Sequence, residues 1–235
     1  MPALDSLPRA WLSVELPGFR PHVASTATYS SFAYEELPPI GAELDDDLRW
    51  LSEARPVPKS LADESDADRP APAEELALLV ADTSLSVPAS FRSFVASSAL
   101  QSRVRSCTSC YLDLGDFPAP VDDGGWLIHF LSDQQWVLHW LLYCDESGHE
   151  AVVVTDMPVG FGVSDEHLRD LELDDEALRG FDPASARGAV CAESFSEFLY
   201  RFRIENELWF ALTSEPRPLT AAEQPYVDHY ADRAR

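Results

Sequence analysis

The chain has 235 residues, 46% of them hydrophobic and 11% aromatic, and is therefore long enough to bury one well-formed core. Its 41 acidic residues outnumber its 17 basic residues, and the net charge of -24 argues against binding to nucleic acid or to an anionic membrane surface. A negative field of this size favours a basic protein partner, although it also keeps a protein soluble.

The sequence carries no pattern of export or of a membrane span. Its first residues lack the basic region and apolar run of a signal peptide, and polar residues interrupt the most apolar stretch, residues 126–143. We therefore expect a cytoplasmic protein. Lys59 is the only lysine, and alanine, proline and aspartate are abundant, a composition typical of bacteria with GC-rich DNA.

The composition changes along the chain in a way that predicts three parts. Residues 1–52 hold scattered aromatic side chains without a helical or strand period, and residues 53–73 are rich in proline, small residues and charge. We expect an N-terminal extension with a mobile linker at residues 1–73, an α+β domain at residues 74–213, and a tail at residues 214–235 whose short helix starts at a capping box of Thr220 and Glu223.

Two helices are predicted on either side of a run of strands. Pro88 stands where a first-turn proline is tolerated, and apolar residues recur at helical spacing from there to Val95. Ser194 and Glu197 form a capping box ahead of the second helix. The apolar face of this helix holds Phe195, Phe198, Leu199 and Phe202.

The second helix is predicted to continue to Leu212 with another apolar row along a different side. This row contains Ile204 and Leu208. A helix that is apolar on two sides must be covered on both, so either the N-terminal extension or a partner chain is expected over the second row.

Four strands are predicted between the helices, at residues 111–114, 126–131, 136–143 and 150–155. Short polar turns separate the last three, which favours an antiparallel meander. Both faces of the strand at 136–143 are largely apolar, so we expect it to lie centrally, with both faces covered. The predicted fold class is α+β, an antiparallel sheet flanked by helices.

The two helix segments resemble motifs of the SUKH superfamily, whose members include a fungal cell-wall-assembly regulator and many bacterial immunity proteins. Residues 87–95 are similar to its early Leu-Pro-x-x-Tyr/Phe-x-x-Phe-Leu helix, and residues 194–199 to its late Ser-Phe-x-x-Phe-Leu helix. The resemblance covers about residues 74–212. Residues 96–100 depart from it, because Ala-Ser-Ser-Ala-Leu replaces the Asn-Gly turn that usually follows the first helix.

Cys107 and Cys110 have the two-residue spacing of a zinc knuckle or a redox pair. Cys144 and Cys191 stand too far apart in the sequence to complete a knuckle at the usual ligand spacing, and a strand meander is not the βαβ context of a thioredoxin-like pair. We therefore expect reduced thiols, no metal site and no cofactor.

His129 and His139 lie on neighbouring predicted strands. If Leu131 opposes Trp136 across a tight turn, the two imidazoles point to opposite faces of the sheet and cannot share a ligand. The sequence also lacks a Gly-x-Ser-x-Gly elbow and a glycine-rich phosphate loop. We therefore expect no catalytic activity.

The predicted function is that of a non-catalytic acidic protein-binding module. The SUKH resemblance implies an immunity protein that neutralises a bacterial toxin by covering its active site; the alternatives are a regulatory or scaffolding module for the cell's own proteins, and a zinc- or thiol-dependent enzyme. A basic partner is expected to contact acidic loops at the sheet ends and in the segment after residue 160. The candidate residues are Asp122, Asp123, Asp133, Asp145, Glu146, Asp174, Asp175 and Glu176.

Overall fold

The computed structural model describes residues 3–20, 24–26, 28–40, 44, 47–63, 72–81, 83, 85–161 and 188–233. The strands in this part of the chain are β1 Ala10–Ser13, β2 Ala24–Thr26, β3 Tyr29–Ala33, β4 Tyr111–Leu112, β5 Ala119–Pro120, β6 Trp126–Ser132, β7 His139–Cys144, β8 Glu150–Thr155 and β9 Gly188–Ala192. The α-helices are α1 Arg49–Ser52, α2 Pro72–Leu79, α3 Ala89–Val95, α4 Ser98–Gln101, α5 Phe195–Leu212 and α6 Gln224–Arg233.

The strands form two antiparallel sheets, one small and one large, which with the helices confirm the predicted α+β class. The small sheet has the order β1-β3-β2. The main sheet has the order β4-β6-β7-β8-β9, and β5 also pairs with β6. All six residues of β7 are buried, as expected for a central strand with both faces covered.

The predicted strand at 150–155 has the observed bounds of β8, whereas β7 begins at His139 rather than at residue 136. Residues 133–138 form the turn between β6 and β7. Trp136 within it has a left-handed backbone, with φ at 57°. An extended strand does not accommodate this conformation, so the strand can start only after the turn.

The β6–β7 register places His129 and His139 on the same face of the sheet, so the prediction of opposite faces is wrong. Ser132 pairs with His139, and a β-bulge interrupts the ladder between His129 and Leu131. The bulge inserts one extra residue into β6 and thereby reverses the face to which His129 points. The two imidazole centroids lie 5.2 Å apart.

One face of the main sheet packs against the two predicted helices, now α3 and α5. Phe91 of α3, Phe130 of β6 and Phe195 of α5 meet edge to face, with centroid separations of 4.9, 5.5 and 5.6 Å. Each of these rings is at most 1% exposed. Edge-to-face contacts of this kind add to the area that the rings remove from water. The hydrophobic core of the domain therefore lies between this face and these helices.

Local hydrogen bonds fix where the two C-terminal helices begin. Ser194 Oγ accepts from the Glu197 amide at 3.1 Å, while the Glu197 carboxylate accepts from the Glu193 amide, one residue earlier than in a standard capping box. Thr220 and Glu223 form the reciprocal pair, at 2.7 and 3.3 Å, ahead of α6. The capping residues Ser194 and Thr220, which the sequence places ahead of these helices, therefore both cap a helix in the structure.

The described residues between 3 and 40, which we call the N-terminal arm, cover the second apolar side of α5. Leu16 of the arm packs with Ile204 and Leu208 of α5 and with residues of α6. The Val190 amide of the edge strand β9 also donates to the Pro8 carbonyl at 2.8 Å. The second apolar row of α5 is thus covered by this chain itself.

Part of the segment predicted as a mobile linker is packed into the fold. The Val57 and Leu61 amides donate to the Ser102 and Val104 carbonyls, each at 2.8 Å, and Leu61 is only 3% exposed. The prediction is therefore wrong for residues 57–63, because a single buried leucine and a few backbone bonds fix a segment whose composition alone suggests disorder. Residues 64–71 lie outside the described residues.

Among the helices that the structure describes, none combines the length and the apolar character needed to cross a membrane.

Candidate functional site

The charge of the main sheet is one-sided. Residues 106–161, which contain strands β4 to β8 and their loops, hold seven aspartates and two glutamates but no lysine or arginine. All 17 basic residues lie elsewhere in the chain. A stretch of chain with carboxylates and no cations of its own contributes a negative potential that attracts a basic partner.

The structure brings four of the predicted contact residues together at one end of the sheet. Trp126 at the start of β6 pairs with Cys144 at the end of β7, so the turns that carry Asp122–Asp123 and Asp145–Glu146 adjoin. Asp5 joins them, because the Leu4 amide beside it donates to Asp123 Oδ2 at 2.8 Å. We call Asp5, Asp122, Asp123, Asp145 and Glu146 the acidic end.

Two carboxylates of the acidic end also hold their own loops. Burial opposes the ionisation of Asp123, but hydrogen bonds from the Leu4 and Gly125 amides and from the Tyr143 hydroxyl outweigh it and lower the Asp123 pKa. The Ser147 hydroxyl and backbone amides lower the pKa of Asp145. These two groups therefore stay ionised under acidic conditions in which ordinary carboxylates begin to protonate.

Asp133 lies at the opposite end of the sheet and is only 2% exposed. Its Oδ1 accepts from the Gln135 and Val137 amides, at 2.9 and 3.3 Å, and its Oδ2 accepts from the Tyr29 hydroxyl at 3.0 Å. It therefore shapes the β6–β7 turn and ties that turn to the N-terminal arm, so it is not part of an exposed contact surface. The aspartate side chain just ahead of a polar turn often accepts hydrogen bonds from the turn's backbone amides. The position of Asp133 before the turn was therefore the signal in the sequence that indicated this structural role.

The remaining predicted contact residues, Asp174, Asp175 and Glu176, lie outside the described residues.

The cysteine pair has the environment of unreactive thiols. Burial raises the pKa of Cys107 to about 12 and also raises that of Cys110, whose Sγ is within 3.3 Å of the Thr108 hydroxyl. Redox and metal-binding cysteines require the opposite shift, toward the thiolate. The crevice beside Cys107 measures about 10 Å³, room for one water molecule. Within the described chain, no three potential ligands are arranged to hold a metal ion.

The bulge that reverses His129 creates a buried polar cluster that sequence reasoning missed. Ser132 Oγ lies 3.1 Å from Asp113 Oδ2, 3.1 Å from His129 Nε2 and 3.2 Å from His139 Nδ1. All four residues are at most 4% exposed. Among the described residues, no hydrogen-bond partner lies at His129 Nδ1 or at His139 Nε2. Asp113 approaches the serine rather than an imidazole, so the geometry is not that of a Ser-His-Asp triad.

The electrostatics of this cluster also oppose catalysis. Burial lowers the pKa of both imidazoles to about 3, which makes them weak bases near neutral pH. Ser132 itself has no exposed surface. Each bonded imidazole nitrogen faces Ser132, so the unbonded nitrogens lie on the far sides of the rings. The cluster therefore contributes to the structure of the sheet.

Aromatic side chains occupy the end of the sheet opposite to the acidic end. Trp136 in the β6–β7 turn donates its indole N–H to the Tyr111 hydroxyl and lies 5.5 Å, between ring centroids, from Phe161. All three rings are half-buried. The exposed residues Asp116 and Phe117 lie along the same β4–β5 edge of the sheet, and Phe117 is 46% exposed. We call Tyr111, Trp136 and Phe161 the aromatic end.

No protein-family model, no curated protein and no solved structure matches this chain. The fold and the charge by themselves define an α+β protein in which the segment that forms strands β4 to β8 contains carboxylates but no lysine or arginine.

Proposed function

We propose that this protein is a non-catalytic acidic module that binds a basic protein, and that this partner is a bacterial toxin domain which the module neutralises in the cytoplasm. The observation that carries the proposal is the absence of lysine and arginine from residues 106–161, together with the clustering of carboxylates at the acidic end. The four cysteines are free thiols, which agrees with a reducing compartment.

The acidic end suits recognition of a cationic surface in two ways. Its turns are held by backbone and side-chain hydrogen bonds to Asp123 and Asp145, so little conformational entropy is lost when a partner docks. Its negative charge accelerates encounter with a basic partner, an effect that salt screens. Covering the active site of the toxin requires only this binding and no chemistry.

The test is retention of partners from lysate of the source organism at low and at moderate salt. The patch variant carries Asp122→Lys and Glu146→Lys in two exposed turns of the acidic end. The matched control carries Glu74→Lys and Asp228→Lys on the exposed faces of α2 and α6, with the same change in net charge. We expect a basic protein to bind the wild type and the control one to one at low salt, to dissociate as salt rises, and to be lost by the patch variant.

The retained protein is then expressed alone and together with the module. Toxicity of the partner alone and its relief by the wild type, but not by the patch variant, support neutralisation. Retention of housekeeping proteins without toxicity supports the regulatory alternative. Equal retention by patch variant and control, or no retained protein, contradicts the proposal.

A further inference from the structure

The N-terminal arm is joined to the acidic end near its own start. The helical turn Leu4–Ser6 places the Leu4 amide 2.8 Å from Asp123 Oδ2, and the neighbouring Asp5 side chain is exposed. The Leu4 side chain is 7% exposed and packs in a hydrophobic cluster with Val121 and Tyr143 of the main sheet. One residue of the arm therefore makes both a polar and an apolar contact with the acidic end.

The carboxylates of the acidic end are arranged around the Tyr143 hydroxyl. This hydroxyl donates to Asp123 Oδ1 at 3.1 Å. Burial, followed by Asp123, Asp145 and Asp5, raises the pKa of this hydroxyl to about 12. Gly125 permits the arrangement, because a Cβ atom at that position would overlap the Tyr143 ring. Carboxylates from two turns of the sheet and from the arm therefore act on the same hydroxyl group.

The arm is held again at two points farther along the chain. The Val190 amide of β9 donates to the Pro8 carbonyl at 2.8 Å. Beyond this point Arg20 forms a buried ion pair with Glu205 of α5, at 2.7 Å. The arm thus extends from the acidic end, past β9, to α5. Segments held in this way open as cooperative units, so the contact of Leu4 is linked to the contacts farther along the arm.

Docking of the arm changes what a cation meets at the acidic end. The docked arm adds the Asp5 carboxylate to the four that the turns of the sheet supply, and the Leu4 amide helps to fix the Asp123 carboxylate in its ionised form. A basic partner therefore binds the docked form more tightly than a form with the arm detached. Thermodynamic reciprocity then requires the bound partner to stabilise the docked arm by the same factor.

We propose that the bond between the Leu4 amide and Asp123 is a clasp that couples the N-terminal arm to the partner site, so that the docked arm and a basic protein bound at the acidic end stabilise each other. The inference rests on the proposed function and adds regulation to it, because detachment of the arm weakens binding of the partner. It also extends the partner interface to the start of the arm.

Two variants release the arm at different places. Leu4→Pro removes the amide hydrogen, leaves the net charge unchanged and keeps an apolar side chain. Proline suits this position because Leu4 begins a helical turn and Ala3 before it is extended, with φ at -55° and ψ at 144°. Arg20→Met breaks the distant ion pair, and Arg49→Met is its control with the same change in net charge outside the arm. Urea unfolding verifies that each variant is folded.

The probe is a synthetic peptide of alternating arginine and serine, and a peptide with citrulline in place of arginine is the uncharged control. Isothermal titration calorimetry at low salt measures binding. We expect Leu4→Pro to weaken binding of the arginine peptide about threefold. Arg20→Met should also weaken it, although loss of a cation by itself makes the protein more attractive to the peptide. Arg49→Met should not weaken it.

Hydrogen exchange of the Val190 amide reports docking of the arm, because its acceptor is the Pro8 carbonyl. The Leu61 amide, which donates to Val104, is the control. Saturating arginine peptide should slow exchange at Val190 by the same factor of about three and leave Leu61 unchanged, and the citrulline peptide should slow neither. In Leu4→Pro the effect of the arginine peptide on Val190 should disappear.

The outcomes separate this inference from the proposed function. If Asp122→Lys with Glu146→Lys weakens binding of the arginine peptide while Leu4→Pro does not, the clasp is refuted and the acidic binding function stands. If the peptide slows exchange at Val190 and Leu61 equally, it stabilises the whole fold and the clasp is also refuted. If no cationic peptide binds the wild type, the clasp is refuted together with the electrostatic basis of the proposed function.

Discussion

The buried imidazoles of His129 and His139 give the chain a defined response to acid. Both rings are fully buried and their centroids lie 5.2 Å apart, and in the part of the chain that the structure describes one nitrogen of each ring has no hydrogen-bond partner. Burial disfavours the charged form, so the pKa of each ring falls from 6.5 to about 3 in the folded state. The unfolded chain therefore binds more protons than the folded one between these two values.

We predict that the free energy of unfolding falls as the pH decreases from 6.5, by up to about 2.7 kcal/mol per pH unit for the two histidines together. At about one pH unit or more above 6.5 the pair contributes almost no pH dependence, since both the folded and the unfolded state then hold it neutral. Urea unfolding of wild type and of His139→Asn between pH 6.5 and 4.5 measures the effect, and the variant should lose about half of the histidine contribution to the slope, up to about 1.4 kcal/mol per pH unit. His149→Asn, in an exposed turn, is the control and should leave the slope unchanged. An unchanged slope in His139→Asn would contradict the assignment of this pH dependence to the buried histidines.

The N-terminal arm is joined to helix α5 by a buried ion pair. Arg20 donates to both carboxylate oxygens of Glu205 at 2.7 Å, and the two side chains are 3% and 1% exposed. Glu205 also accepts from Trp11 Nε1 at 2.9 Å. Burial alone would raise the pKa of Glu205, but the Arg20 guanidinium outweighs it and lowers that pKa. The arm is therefore required to neutralise a charge buried on the helix.

We predict that Arg20→Met destabilises the protein by about 3–5 kcal/mol, because it leaves the Glu205 carboxylate buried without a cation. The double variant Arg20→Met, Glu205→Gln should recover part of this loss. The control is Arg49→Met, which breaks the exposed pair with Asp47 at 2.6 Å and should cost less than about 1 kcal/mol. Chemical denaturation of the wild type and the three variants gives their free energies of unfolding. Equal losses of unfolding free energy in Arg20→Met and Arg49→Met would argue against the arm as a structural element.

The net charge of -24 acts on the whole molecule as self-repulsion that opposes the compact state. The buried pairs are little affected by salt, since solvent ions do not reach them, whereas the exposed carboxylates are screened. Salt should therefore have opposite effects on the stability of this protein and on its binding to a cationic partner.

We predict that raising sodium chloride from about 20 mM to about 200 mM, which shortens the Debye length from roughly 20 Å to roughly 7 Å, raises Tm by a few degrees. The same change should weaken binding of a synthetic peptide of alternating arginine and serine, because salt screens its attraction to the acidic end. Differential scanning calorimetry and peptide titration at matched salt concentrations give both readouts. Choline chloride serves as the control for cation-specific binding and should reproduce the shift in Tm. A Tm that is constant or falls with salt would show that self-repulsion is not significant here.

The sequence by itself determined the features that depend on neighbours along the chain. The Ser194 cap, the Thr220 box, the bounds of β8 and the two apolar faces of β7 all follow from residues a few positions apart, because capping bonds and side-chain alternation are local. The α+β class follows from the same signals. Four carboxylates of the acidic end, Asp122, Asp123, Asp145 and Glu146, could be named in advance because they stand in turns of a predictable meander, whereas Asp5 was added by the tertiary structure.

Only the tertiary structure decided the remaining features, because they depend on contacts that no local pattern specifies. The partnership of Arg20 with Glu205 joins residues 185 positions apart. The bulge in β6 placed His129 beside His139, and the left-handed turn moved Trp136 out of its predicted strand. Asp133 was predicted as a surface residue, yet contact with Tyr29 of the arm buries it. Each of these features is a contact or a backbone conformation of the folded chain that the spacing of apolar and polar residues does not specify.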